Sequence, residues 1–482
     1  MKPTMAEGEM MHRSTNHSRR IFLKRAGLAT MAVTGGSYLA GCASSGGEDG
    51  TVESGGAEKS ADNPFGVQAA DPLSVVIFKG GYGDDYAKFH EGLYTGKFQD
   101  AKLSHKGITD IRQQMQPLFN GGTPPDVLDN SGAEKMPISV LADTGQLSDL
   151  TSLFEAEAIG QAGTKVKDTL NPAAIDSAEY AGKPLVLNYA LQVYGLWYDQ
   201  ALFDKNGWAP AETWEDFLTL CEEIKGTGMA PMAHQGKYPY YIQQVLMDMA
   251  VKHGGPEVVY AIDSLEPNAW QNESVKMAAE ALLELKAKGY MLDGTEGLDH
   301  IQSQTAWNEH KAAFIPCGSW LENEQKSVAP SGFKTTVAPT PLMDGAALPF
   351  DCTRVEAAEA FIVPAKAANQ AGGLEYLRLM LSKEGAAEFT KLTAAPTIVD
   401  GATEGLDLSP GAASAIALID SGGTSNWNYY YSIWYSPMDP KIQSAMGEVA
   451  AGRLTADEFT SRCQKAADET ASDSATQKRT RA

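Results

Sequence analysis

Cysteine is scarce in this chain: there are five in 482 residues, with no CxxC pair and no metal-ligand spacing among them. Neither a zinc ribbon nor a dithiol redox centre is written there. Cys221 and Cys463 sit in helical patterns as core thiols, while Cys317 and Cys352 are either free or paired across a domain junction. The eight histidines are scattered, and His234 and His253 have no HExxH-like surroundings. The glycines after Phe78 do not form a P-loop or GxGxxG, and there is no GxSxG. Basic charge is also short, 39 residues against 61 acidic, net −22. Six of the basic and two of the acidic residues lie in the first 41 positions, so the remainder carries about −26. A surface that acidic argues against nucleic acid or anionic lipid as partner and favours a neutral or cationic solute.

The apolar stretch Ala26 to Ala40 is shorter than the roughly 20 residues a spanning helix needs. It lies between Ser18-Arg19-Arg20-Ile21-Phe22-Leu23-Lys24, a twin-arginine pattern, and Leu39-Ala40-Gly41-Cys42, which resembles a lipobox. Residues 1–41 therefore read as an export signal removed on maturation, with Arg19 and Arg20 as its twin arginines and Cys42 as the acylated first residue. Two acyl chains hold a protein stably to a membrane. The Ser-, Gly- and acid-rich residues 42–70 read as a flexible spacer, so the globular part is expected outside the cell membrane on a leash.

From about residue 71 to 470 the chain is too long for one core of ordinary size, and two lobes are expected. Leu73 to Phe78 reads as a strand running into the turn Gly80-Gly81-Tyr82-Gly83, where a ligand can approach the backbone closely. Thr109 to Asn120 reads as a helix stopped by Gly121-Gly122, and Thr123 to Gly132 as a turn into a short buried strand opening onto Asn130-Ser131. Strand and helix in alternation imply an α/β layer structure with a mostly parallel sheet and ligands at the strand ends.

The segments FNGGTPPDVLDNSG, KPLVLNYALQVYGLWYD and WNEHKAAFIPCGSW resemble signature stretches of the family 1 extracellular solute-binding proteins, the receptors of carbohydrate ABC importers. With VVIFKGGYGDDYAKF, SHKGIT, AHQGKYPYYI and SQTAWNEHKAAFIPCGSWLENE the likeness is closer to the N-acetylglucosamine/diacetylchitobiose-binding lipoproteins of Gram-positive importers. The resemblance implies a type II periplasmic-binding-protein-like α/β fold with a ligand cleft between lobes and several hinge crossings. One lobe is expected at 71–188 plus 345–410 and the other at 193–338 plus 412–475. It further implies a monomeric receptor, with no cofactor, that hands an N-acetylated mono- or disaccharide to two permease subunits and their ATPase. A receptor for another oligosaccharide is the alternative within the fold, and a surface-anchored glycan hydrolase the alternative outside it.

Sugars are held by aromatic faces and planar polar side chains. The candidates are Gly81 and Tyr82, Asn130 and Ser131, Tyr189 and Gln192, Lys237, Tyr238 and Tyr241, Ser319, Trp320, Glu322 and Asn323, and Arg354. The resemblance gives Trp320 the stacking position and puts Gln192 on the first hinge strand. Trp307 reads as core, and the aromatic segment Trp427 to Trp434 either caps the cleft or packs the second lobe. For a hydrolase, Asp84, Asp85, Asp126, Asp129 and Glu322 are the available carboxylates, with Asp126 placed as a turn residue and Asp84 and Asp85 before a helix.

Overall fold

The computed structural model describes residues 57–481 except 172, 173, 176 and 181. The expected export signal, with Arg19, Arg20 and Cys42, lies outside the described residues. Strand β1 (Leu73–Phe78) forms where β-branched residues run together, and β2 (Leu103–Ile108) and β3 (Val127–Asp129) flank it in parallel. The helices Asp85–Lys97 and Ile111–Gly121 make the crossovers. Gly122, at φ 74°, ends the second in the left-handed conformation that glycine adopts without strain.

The next strands are the short pair β4 (Glu179–Tyr180) and β5 (Lys183–Pro184), then β6 (Leu187–Asp199), β7 (Ala230–Met232), β8 (Ala312–Gly318), β9 (Thr335–Ala338) and β10 (Val355–Ile362). The large sheet runs β2-β1-β3-β10-β6-β8-β7, with β9 also on β6. It is parallel at its two ends and antiparallel at β3/β10, β10/β6, β6/β8 and β6/β9. This departs from the mostly parallel sheet expected. A chain that leaves one lobe and comes back must run against itself where it crosses.

β6 joins the two lobes. Its first half pairs with β10 and its second half with β8 and β9. Tyr189 and Leu191 pack with Ile77, Tyr86, Phe361 and Phe389 in one core, while Leu196 and Tyr198 pack with Phe203, Phe314, Leu282 and Phe459 in another. Because both faces of β6 are covered, its sequence is almost continuously apolar.

Packing begins earlier than residue 71. Phe65 and Val67 are buried in the first core, and Asn63 Oδ1 accepts from the Val67 amide at 2.9 Å, so the end of the expected spacer is docked. Cys317 and Cys352 do not pair; with Cys221 and Cys463 they are buried free thiols. Trp307 lies in the core, as does most of the aromatic segment: Trp427, Tyr429 and Tyr431 pack the second lobe, with Tyr430 and Trp434 partly open. No helix among the described residues is long and apolar enough to cross a membrane.

Candidate functional site

The ends of β1 and β8 meet between the lobes. Trp320 follows β8, and its indole folds back over the strand because residue 318 is glycine: a Cβ there would lie 1.9 Å from the ring. The Trp320 ring stands edge-on to Tyr194 at 5.7 Å and tilted to Tyr241 at 6.2 Å. On the other side Gly81 packs its backbone against the indole, where a Cβ would come within 3.1 Å. Asn323 Nδ2 donates to the Gly81 carbonyl at 2.6 Å. The glycine turn thus admits the Trp320 indole against its backbone. Tyr82 is buried beside it, with its hydroxyl facing Glu359, Ser319 and Gln192 but in hydrogen-bonding geometry with none of them. Burial pushes that phenol well above its ordinary value. Ser319 is buried and its Oγ accepts from the Val193 amide at 3.4 Å.

Behind the aromatic pair lies a polar network centred on Arg354. The guanidinium donates from Nε to Asn428 Oδ1 at 2.8 Å, from Nη1 to Gln244 Oε1 at 2.8 Å and from Nη2 to Glu356 Oε2 at 2.6 Å. It is held between the Tyr194 and Tyr429 rings, 4.4 and 4.0 Å from their centroids. Only 3% of the residue is exposed. Burial opposes its charge, yet Glu356 and the surrounding phenols lift its pKa above the usual arginine value. Arg354 therefore holds the site together and Glu356 is the charged group left partly open, with 14% of its side chain exposed. The Tyr194 hydroxyl donates to the same Glu356 oxygen at 2.9 Å and also reaches Gln192 Oε1 at 3.0 Å. Gln192 sits directly opposite Glu356 in the β6/β10 register. Tyr240, half-buried, adds an aromatic edge 6.4 Å from Tyr194.

One further pair of carboxyls lies beneath. Asp129 and Glu359 are buried in mutual contact, and Glu359 has a left-handed φ of 57° within β10, a strained region for a side-chain-bearing residue. Burial raises Asp129 to about 6, and burial together with the Asp129 charge raises Glu359 well above the carboxylate range. Two carboxyls so placed share a proton, since both cannot ionise side by side out of water. Tyr86 donates to Asp129 at 3.1 Å, Ser131 donates to its other oxygen, and Gln192 Nε2 lies 3.5 Å from Glu359.

Residues 84–387 match the family described as bacterial extracellular solute-binding protein. The chain belongs to that family. A diacetylchitobiose binding protein, NgcE, of Streptomyces coelicolor is 36% identical over 474 residues, 97% of this chain and 99% of the relative. A probable sugar-binding periplasmic protein of Rhizobium meliloti is 26% identical over 129 residues, 27% of this chain and 30% of that one. Among solved structures, a chitin oligosaccharide binding protein superposes with a TM-score of 0.66 at 17% identity, covering 83% of this chain and 98% of the other. A protein studied for xylan utilisation in Caldanaerobius polysaccharolyticus gives 0.67 at 15% identity, covering 82% and 99%. At such identities the last two speak for the two-lobe fold alone.

Within this solute-binding fold the sequence-derived candidates divide. Gly81, Tyr82, Gln192, Tyr241, Ser319, Trp320, Asn323 and Arg354 come together between the lobes. Tyr189 does not: it is fully buried in the first core and its hydroxyl donates to the Met380 carbonyl at 2.8 Å. Asn130 is buried too, with both ends of its amide bound to the Met136 backbone at 2.8 and 2.9 Å. Ser131 is occupied by Asp129 and by the Ala360 amide. Lys237 and Tyr238 sit at the outer surface, the lysine 3.8 Å from Asp299 and the tyrosine 41% exposed. Glu322 accepts from the Gly411 and Ala412 amides at 3.1 and 3.0 Å, satisfying the start of the Pro410–Gly422 helix.

The other carboxylates raised for hydrolysis are likewise occupied. Asp84 is held to about 2, against the effect of its burial, by Lys79, His105 and Lys88. Asp126 accepts from the amide and hydroxyl of Ser74 and from the Asn369 amide. Asp85 faces solvent on Lys88. Sequence reasoning missed Glu356, Tyr194 and Gln244, while Tyr240 and Asn428 fell inside aromatic segments it raised without being singled out. For Glu356 a signal was present: Arg354 and Glu356 are two apart, the spacing that puts side chains on one face of extended chain.

Proposed function

We propose that this receptor closes its two lobes on an N-acetylated mono- or disaccharide, N-acetylglucosamine or N,N'-diacetylchitobiose, and delivers it to two membrane permease subunits driven by an ATPase. The observation that carries the reading is the meeting of aromatic edges with a pre-oriented carboxyl acceptor between the lobes. Trp320 and Tyr240 both stand edge-on to Tyr194, and Tyr194 and Arg354 fix one oxygen of the partly exposed Glu356 carboxyl. Pyranose C–H faces pack on such rings, and hydroxyl or acetamide N–H groups donate to such a carboxylate. The 36% identity with a diacetylchitobiose binding protein supports the N-acetylated class. A ligand that touches both lobes favours the closed form by its differential affinity for it, and that closed form is what a permease would read.

On this reading the protein is exported by the twin-arginine route and anchored at the outer face of the cell membrane through acylated Cys42. It works as a monomer without cofactor or catalysis. The lobes are taken as 71–188 plus 345–410 and 193–338 plus 412–475. Isothermal titration of the full chain with N-acetylglucosamine, diacetylchitobiose, maltose and cellobiose tests the reading. Binding confined to the N-acetylated sugars is expected. Binding only to maltose or cellobiose would keep the receptor and discard the ligand, and hydrolysis of chitobiose would replace the receptor with an enzyme.

A further inference from the structure

Beyond the helix Ala456–Ser472 the chain turns back across the second lobe, and two of its arginines sink into the surface while their neighbours do not: Arg479 and Arg481 are half-buried, Lys478 and Thr480 exposed. The Arg479 amide donates to the Tyr435 hydroxyl at 3.0 Å, and its guanidinium carbon lies 5.3 Å from the centre of the Tyr180 ring and 5.4 Å from that of Trp434. Those rings belong to different cores. Tyr180 is buried with Val76, Leu128 and Ile362 against strands β1, β3 and β10, whereas Trp434 packs on the core that holds Tyr431, Ile442 and Met446. Ile433, next to Trp434, reaches the Tyr180 core as well. Arg479 thus ties the two cores through a contact separate from the strands that cross between them.

Arg481 is anchored more deeply. Its Nη1 donates to Asp263 Oδ2 at 2.7 Å and its amide to Ser264 Oγ at 3.0 Å, and its guanidinium carbon lies 4.6 and 4.5 Å from the centres of the Tyr260 and Tyr430 rings. Asp263 is fully buried, and its other oxygen accepts the Tyr430 and Tyr431 amides at 2.8 Å each. A buried carboxyl of this kind holds its cation firmly, because separation would strand a charge away from water.

The same Nη1 of Arg481 donates to the Asn428 carbonyl. Asn428 is the residue whose side chain accepts from Arg354 Nε at 2.8 Å, and Arg354 in turn fixes Glu356 at 2.6 Å. Only Asn428 and Arg354 stand between the tail and the carboxyl of the candidate site. Trp427, just before Asn428, takes the Val355 amide of β10 at 2.9 Å, so this segment is also bound to a strand that crosses between the lobes. In the same arrangement the rims of the cleft touch, since Gly81 packs on Trp320 and its carbonyl accepts from Asn323.

We propose that Arg479 and Arg481 form a strap that favours the closed arrangement of the lobes and, through Asn428, positions Arg354 and Glu356, so that two residues outside the cleft govern how tightly ligand is held. Both act through other groups and are positioning residues. A contact made in the closed form alone shifts the balance toward that form by its own free energy. The effect on affinity rests on the sugar reading of the cleft, whereas the strap does not, and separate measurements test them. Small-angle X-ray scattering of the full chain without sugar addresses the strap. Arg479→Leu should enlarge the radius of gyration, and Arg479→Lys, which keeps a cation between the rings, should bring it back; equal radii in the unmodified chain and both variants would overturn the strap. Calorimetry and stopped-flow release of diacetylchitobiose address the positioning. Arg479→Leu and Arg481→Gln should each lower affinity about five-fold, the scale of one or two cation–π contacts, by faster release at unchanged association. Should Arg481→Gln not fold, Arg481→Lys, which keeps a cation for Asp263 but lacks the guanidinium fork that also serves Asn428, should give a smaller loss in the same sense. Unchanged affinity and release in the folded variants would overturn the positioning, and so would a loss that comes from slower association alone. Absence of binding by the unmodified chain would overturn the positioning together with the reading of the cleft, while the scattering still decides the strap.

Discussion

Replacing Arg354 by methionine keeps much of the side-chain volume and removes a buried charge at the centre of the inter-lobe network. Three hydrogen bonds go with it, to Asn428, Gln244 and Glu356, along with two ring contacts at 4.4 and 4.0 Å. Removing one partner of a buried ion pair costs about 3–5 kcal/mol, much of it the cost of leaving the other charge unpaired. Glu356 retains 14% side-chain exposure, so water can reach it and the low end, about 3 kcal/mol, is expected. Urea unfolding followed by tryptophan fluorescence would measure the loss. Adding Glu356→Gln removes the stranded charge, and the double variant should recover about 1–2 kcal/mol relative to Arg354→Met. Sugar affinity should not return with it, because the carboxyl is then an amide that no guanidinium orients. A loss below about 1 kcal/mol, or a double variant less stable than Arg354→Met, would refute the view that Arg354 serves chiefly to hold Glu356.

Trp320→Ala should weaken sugar binding by at least about 1 kcal/mol, the scale of one aromatic contact; unchanged affinity in a folded variant, read by calorimetry, would remove Trp320 from the ligand. Gly318→Ala sets a methyl where the indole lies and should cost about 1–3 kcal/mol as an overpacked site does, with a shift in tryptophan emission as the ring moves. The Asp129–Glu359 pair predicts a dependence on pH. Its carboxyls titrate higher folded than unfolded, so the stability they confer is complete below about 4, the ordinary Asp value, and is lost in stages as pH rises, Asp129's share through about 6 and Glu359's above that. Asp263, also raised to about 6 by burial, contributes in the same window. Glu359→Gln should flatten the part due to the pair in thermal melts taken between these pH values, and a curve as steep as before would dismiss the shared proton.

The strands and crossovers were legible because they depend on local pattern: the β-branched run of β1, the glycine stop at Gly122 and the long apolar run of β6. Which side chains face the cleft was legible only in part, and β6 shows why. Tyr189 and Gln192 differ in parity, so a strand puts them on opposite faces; yet with both faces buried the sequence carries no polar alternation to mark which face is which. Tyr189 went to the core and Gln192 to the network with Tyr194. Glu322 was beyond reach for another reason. Its partners are amides nearly ninety residues later in the chain, at a helix start that only the folded molecule brings near. The mixed sheet followed the same logic, since the antiparallel pairings are made by segments far apart in sequence.

The way β6 changes partners has a mechanical consequence. Through Val193 its ladder is with β10; from Tyr194 it is with β8 and from Leu196 with β9 as well; and at the changeover the Val193 amide is taken by a side-chain hydroxyl, that of Ser319. A joint of this kind behaves as a leaf spring with one thin point, in contrast to the pin of a loose loop. Bending concentrates at Val193, whose amide is held by a side chain and so can turn without tearing a ladder bond, and the rungs on either side restore the angle once the load is gone. Amide exchange at Val193 should accordingly record how often the spring flexes, while its neighbours along the same strand stay silent.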